Sequence, residues 1–143
     1  MTVARILALK GSDVVTASPH RTMGDIVKLL AEKRVGAVII AGADGYIAGI
    51  ISERDVVRTL AQKGADVLAD AVSEHMTRAV VTAGADETVD EIMDRMTEGK
   101  FRHVPIVEGR RLVGMISIGD VVKHRMAMAE AEASAMRDYI ATA

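Results

Sequence analysis

The sequence predicts an α/β protein made of two copies of one βαββα unit, packed as a pseudo-twofold pair and followed by a long C-terminal helix. Three observations predict it. A stretch of chain returns 66 positions later, and each copy passes through the same order of strand and helix periodicity. A single apolar seam at helical spacing then runs from Val122 to Ile140.

The repeat fixes the architecture. Val14-Val15-Thr16-Ala17 recurs as Val80-Val81-Thr82-Ala83, and the same offset pairs Thr22 with Thr88, Ile26 with Ile92, and Val38 with Val104. Further on, Gly49-Ile50-Ile51-Ser52-Glu53-Arg54-Asp55-Val56-Val57 answers Gly114-Met115-Ile116-Ser117-Ile118-Gly119-Asp120-Val121-Val122. The offset there is 65, so one residue has been lost. The loss falls where Gly42-Ala43-Asp44-Gly45 faces Glu108-Gly109-Arg110, a turn that tolerates length changes.

Each copy opens with a short β-branched strand, Asp13 to Ala17 in the first and its counterpart around Val80 to Ala83 in the second. A polar turn leads to an amphipathic helix with Met23, Ile26, Leu29 and Leu30 on one face. Thr22 with Asp25, and Thr88 with Glu91, fit capping boxes, in which hydroxyl and carboxylate satisfy free backbone N–H groups. Two strands follow, Ala37 to Ala41 and Ile47 to Ser52, then His103 to Val107 and Leu112 to Ser117. A closing helix begins near Arg54 and near Gly119. A three-stranded sheet with helices on one face leaves its other apolar face uncovered, so the halves are expected to close on one shared core. The resulting division is an N-terminal segment 1–12 packing on the module, repeat one 13–62, a linker 63–78, repeat two 79–125, and a helical extension 126–143. A short helix is expected in the linker from Val67 to Met76.

Composition narrows the function classes. Half of the 143 residues are apolar, but the aromatics are only Tyr46, Phe101 and Tyr139. A net charge of −2 argues against a phosphate-backbone binder, and three scattered rings make no stacking platform for single-stranded nucleic acid. There is no cysteine, so disulfides, thiolate metal sites and cysteine nucleophiles are excluded. No segment reaches the roughly 18 apolar residues that span a bilayer, and no targeting pattern is evident, so a soluble cytoplasmic protein without membrane contact is expected. His20, His75, His103 and His124 share no metal-ligand spacing, so no metal site is expected. Glu53-Arg54-Asp55 lacks a paired base or nucleophile and reads as solvated charge at a helix start, so the chain is expected not to be an enzyme.

The repeats resemble the cystathionine-β-synthase (CBS) domain, which occurs in tandem as a Bateman module. Gly49-x-x-Ser52-x-x-Asp55 and Gly114-x-x-Ser117-x-x-Asp120, each between a strand and a helix, carry the resemblance. Phe101-Arg102-His103-Val104-Pro105-Ile106-Val107 is similar to the family's second-strand motif, and the Ser-x-x-Asp pair is typical of small bacterial two-repeat members. The resemblance implies a sensor of AMP, ADP, ATP or NAD(H) as regulatory ligand, with no catalytic cofactor, acting on an unknown effector protein. It implies two clefts, each with parts from both repeats. Asp55 and Asp120 would accept from ribose hydroxyls, Ser52 and Ser117 would touch ribose or phosphate, and Thr16 and Thr82 would line the adenine pockets. Backbone at Gly36, Ala37 and Val38, and at Arg102, His103, Val104 and Pro105, would read the base edge. By family geometry Asp55 and Ser52 complete the cleft begun by Thr82, and Asp120 and Ser117 that begun by Thr16.

The copies are not equivalent. Val35-Gly36-Ala37 stands where the second copy has Phe101-Arg102-His103. Arg54, Lys100, Arg102 and His103 would therefore equip the Asp55 cleft for phosphate, while Gly36 and Ala37 would leave room for a larger ligand at the other. Ser-x-x-Asp is also a capping box, so a structural role competes with ligand contact. The seam Val122, Met126, Ala129, Ala133, Met136 and Ile140 either packs on its own module or on the N-terminal Ile6/Leu9 segment, or joins two copies into a homodimer. The alternative function is a ligand-free adaptor working through that surface. Catalysis is set aside: IMP dehydrogenase, whose regulatory insert the chain resembles, needs a barrel of about 250 residues.

Overall fold

The computed structural model describes residues 1–142. The chain runs α1 (Val3–Lys10), β1 (Thr16–Ala17), α2 (Met23–Lys33), β2 (Ala37–Ala41), β3 (Ile47–Ser52) and α3 (Glu53–Lys63). Two short 3₁₀ turns, Ala65–Ala69 and Val72–Glu74, lead to α4 (Val89–Gly99), β4 (His103–Glu108), β5 (Arg111–Ser117) and α5 (Ile118–Thr142). The closing helices thus start one residue earlier than expected. Ala143, the last residue of the expected extension, lies outside the described residues.

In the first half, β1 pairs parallel with β2 and β2 antiparallel with β3, with a bulge between Ile40 and Ala41. The second half repeats the antiparallel pair β4–β5, with its bulge at the matching Ile106/Val107 step. Its first strand, expected around Val80 to Ala83, is reduced to one parallel bridge from Ala83 to Ile106. The reason lies at one position. The Ile39 N–H donates to the Val15 carbonyl at 3.1 Å, and the residue in Ile39's place is Pro105, which has no N–H to give Val81. The first strand itself is shorter than expected, Thr16–Ala17 in place of Asp13 to Ala17.

Caps set the helix starts. Thr22, Ser52 and Thr88 each close a reciprocal capping box with Asp25, Asp55 and Glu91. Arg34 and Lys100 end α2 and α4 in the left-handed region, at φ 54° and 58°, and turn the chain directly into β2 and β4.

The expected single core is two cores. Met23, Ile26, Leu30, Val38, Ile40 and Ile51 pack in the first half with Val72 and Met76. Ile92, Met96, Val104, Ile106, Ile116 and Val121 pack in the second with Val3 and Ile6. The linker adds Val72 and Met76 to the first cluster, and the N-terminal segment adds Val3 and Ile6 to the second. Met76 lies over Gly49, where a Cβ would meet its Sδ at 2.5 Å, and Leu7 lies over Gly114 at 2.7 Å in the same way. Ala37 and Ile39, on the opposite face of β2, are buried as well. The halves touch where Gly36 approaches His103 and where the Arg110 guanidinium stacks on the Tyr46 ring at 4.2 Å.

The linker helix expected from Val67 to Met76 is replaced by the two 3₁₀ turns. The Met23 N–H donates to the Asp70 carbonyl (2.9 Å) and the Val72 N–H to the Arg21 carbonyl (2.7 Å), which draws Asp70 and Ala71 into extended backbone. On α5 the seam does not pack on its own module: Met126, Met136 and Ile140 are 60–67% exposed. Ile6 is buried, whereas Leu9 is exposed. No helix among the described residues is long and apolar enough to cross a membrane.

Candidate ligand-binding cleft

The two strand-to-helix junctions carry the same cap. At the first, the Asp55 N–H donates to Ser52 Oγ (3.2 Å), and the Ser52 N–H and hydroxyl both donate to Asp55 Oδ2 (2.9 Å each). At the second, the Asp120 N–H donates to Ser117 Oγ (3.1 Å) and the Ser117 N–H to Asp120 Oδ2 (2.8 Å). Their surroundings differ more.

The first junction opens onto a cleft of about 290 Å³ between the halves. One wall is first-half chain: Gly36, Ser52, Arg54, Asp55 and Arg58. The other is the run Lys100 to His103 together with Thr77 and Ala79 to Val81. Arg54, Arg58, Lys100 and Arg102 bring four cationic side chains to one crevice, with the Glu53 and Asp55 carboxylates on the same lining. The cations suit a phosphate. Asp55, whose other oxygen pairs with Arg58, places a hydrogen-bond acceptor at the same rim. His103 is mostly buried there. Burial pushes its pKa below the usual histidine value, assisted by Lys10 and Arg102 and opposed by Glu53 and Asp120.

The second junction holds a different arrangement. Lys10, at the end of α1, places Nζ 2.6 Å from Asp120 Oδ2 and 2.8 Å from the Met115 carbonyl oxygen. Burial alone would push the Asp120 carboxyl up. The Lys10 ammonium and the Ser117 N–H outweigh it and hold the carboxyl below the usual range.

Of the residues singled out in the sequence, Gly36, Ser52, Arg54, Asp55, Lys100, Arg102 and His103 line the cleft. Ala37, Val38, Val104 and Pro105 lie just behind it with buried side chains. Thr82 is not on its lining, since the segment is held at Ala83 alone and the Thr82 carbonyl accepts from Arg95; Val80 and Val81 face the cleft instead. Thr16, Ser117 and Asp120 lie outside this cleft. Gly36 lines this cleft beside His103, and a Cβ there would come 3.0 Å from His103 Cε1. Arg58 and Thr77 were missed. Arg58 had a usable signal, one helical turn beyond Asp55; Thr77 lies in the linker and had none. Elsewhere, Asp70, Glu74 and His75 bring ligand atoms within 4.8 Å of one another, and Asp70 and His75 bond each other at 2.8 Å.

The CBS domain family model matches the chain twice, over residues 8–62 and 72–127. The chain belongs to the CBS domain family. Both Gly-x-x-Ser-x-x-Asp motifs fall inside those spans. A CBS-domain containing protein from Agrobacterium tumefaciens is 46% identical, with a TM-score of 0.86 over 87% of this chain and 99% of that one. The CBS domain pair of protein MJ0100, solved in complex with 5′-methylthioadenosine and S-adenosyl-L-methionine, is 28% identical with a TM-score of 0.80 over 90% of this chain and 98% of that one. The mitochondrial CBS domain-containing protein CBSX3 of Arabidopsis thaliana is 30% identical over 130 residues, 85% of this chain. The chain spans 63% of that relative's length.

Proposed function

We propose that this CBS pair is a regulatory module, not an enzyme, that binds an adenine nucleotide (AMP, ADP, ATP or NAD(H)) and passes a change of shape to a partner protein. One observation carries the reading: a carboxylate and hydroxyl from one repeat share a cleft with Lys100, Arg102 and His103 from the other. In it Asp55 accepts from the ribose hydroxyls, and Ser52 touches ribose or phosphate. Arg54, Arg58, Lys100 and Arg102 neutralise phosphate, and the backbone from Arg102 to Pro105 reads the base. The adenosyl ligands of the MJ0100 pair support the base, and the four cations favour a phosphorylated ligand over a sulfonium. Signalling follows only if the ligand prefers one of two shapes.

The test is thermal melting of ligand-stripped protein across an adenine-nucleotide panel. A nucleotide at a hundredfold over its dissociation constant should add about 2.7 kcal/mol of stability, and Asp55→Ala should abolish the gain. An unchanged melting temperature with every nucleotide would sink the reading. The exposed seam on α5 favours one second reading, a ligand-free adaptor that pairs two copies through Met126 and Met136. It predicts that charges at those two residues abolish function while Asp55→Ala leaves it intact.

A further inference from the structure

The carboxylate at the rim of the cleft is nearly used up. Asp55 Oδ2 accepts two bonds, from the Ser52 N–H and the Ser52 hydroxyl, at 2.9 Å each. Oδ1 accepts one from the Arg58 guanidinium at 2.5 Å. A carboxylate offers about four acceptor positions, two on each oxygen. With three donors seated, a single position on Oδ1 is left. A ribose diol brings two hydroxyls, so holding both requires a second position on the same carboxylate.

One of the three donors is free to move. The two from Ser52 belong to the capping box that starts α3, and giving one up would loosen the helix start. Arg58 sits one turn further along α3 with its side chain 63% exposed, while that of Asp55 is 17% exposed. Both line the cleft. The guanidinium can therefore leave Asp55 and stay in the crevice, and the ion pair it gives up is best replaced by another anion. Glu53, the other carboxylate on the lining, is no substitute. It lies beside Gly36, and five positions along a helix put it off the face of Arg58.

We propose that Arg58 is a specificity-determining residue of this cleft: it covers the Asp55 oxygen that a ribose diol needs, and gives it up to a ligand that brings an anion for the guanidinium. The cleft then selects a nucleotide over the bare nucleoside, because phosphate and ribose are recognised in one exchange. The proposal rests on the nucleotide-sensing reading above and adds the residue that ties the two contacts together. In the plainer role Arg58 is one more cation for the phosphate. The roles part on a ligand without a phosphate: losing a plain cation leaves its binding unchanged, and losing the cover strengthens it.

The experiment is calorimetric titration of the ligand-stripped full chain with AMP and with adenosine, before and after Arg58→Met. The substitution keeps an unbranched stem of similar helix propensity and removes the guanidinium. Adenosine should bind about two- to fivefold tighter to the variant, the scale of a partly exposed ion pair. The preference for AMP over adenosine should fall by about tenfold or more, the scale of a hydrogen bond to a charged group. Adenosine that binds the variant no better than the parent, or binds neither, overturns the proposal while leaving the sensing reading intact. No AMP binding by the unmodified chain overturns the reading itself, and the proposal with it. Should Arg58→Met fail to fold, Arg58→Ala removes the same group and serves in its place.

Discussion

The two halves of this CBS pair keep the same local chemistry and differ in what lies opposite it. Ser52/Asp55 and Ser117/Asp120 form the same reciprocal backbone cap, to which only Ser52 adds a hydroxyl bond. Yet Asp55 stands at the rim of a cleft lined with cations, and Asp120 is held by Lys10. The sheets show the same contrast: Ile39 anchors a parallel strand, and Pro105 in its place leaves a single bridge. Duplication copies what neighbouring residues do to each other. What a site can bind is decided by residues far away in sequence, and those have diverged.

The largest effects should come from the two separate cores. Ile26 and Ile92 are repeat partners, each with no exposed surface, and they belong to different clusters. Ile26→Ala and Ile92→Ala should each cost about 2–5 kcal/mol of unfolding free energy. If the cores are independent, the double variant should lose the sum to within about 0.5 kcal/mol. Denaturant melts of the four proteins check it. A coupling clearly beyond that would mean the halves share one packed interior after all.

A middle-sized effect tests the junction between the halves. His103 has its pKa lowered chiefly by burial, helped by Lys10 and Arg102 and opposed by Glu53 and Asp120, which face it. The native state therefore resists protonation that the unfolded chain accepts. In the window from the unfolded value of 6.5 down to the lower native one, the unfolded state binds more protons. Stability then falls as pH falls. Stability measured between pH 7.5 and 5 should decline toward acid, and His103→Gln should flatten that decline. The matching change at Ala37, Ala37→Gly, removes no titrating group and should leave the pH slope as it is. An unchanged slope in His103→Gln would mean that the histidine is not held neutral by its site.

Much of this arrangement was legible before any coordinates, and the reason is range. The caps, strands β2 to β5 and helices α2 to α5 are set by residues within about four positions of one another, where periodicity and capping patterns act. The cleft could be assembled in outline because the family resemblance supplied the pairing of Asp55 with Arg102 and His103. What stayed hidden is long-range. Lys10 and Asp120 are 110 positions apart, and a single lysine at a helix end carries no pattern that names its partner. A short helix was expected in the linker from Val67 to Met76, but backbone groups there are claimed by Arg21 and Met23. The two clusters draw Val3 and Ile6 from the N-terminal segment and Val72 and Met76 from the linker, partners that no local pattern names. The shortened strand, by contrast, was readable at Pro105 and needed only the question of which N–H the ladder required.

That last point yields the smallest effect and the sharpest comparison. Pro105→Val restores an N–H where the first half has Ile39, with a side chain suited to a strand. The new amide should bond the Val81 carbonyl as Ile39 bonds Val15 at 3.1 Å. One such bond stabilises by about 0.5–1.5 kcal/mol, while losing proline's restriction of the unfolded chain costs about 0.4–1 kcal/mol. The two nearly cancel, so the unfolding free energy should stay within about 0.5 kcal/mol of the parent. Amide exchange is the readout that separates them from nothing happening. The residue 105 N–H should be protected to the level of Ile39, and Val81, drawn onto β4, should change its place on the cleft wall and with it the affinity for nucleotide. A residue 105 amide exchanging as freely as a loop would show that the strand is short for a reason other than the missing donor.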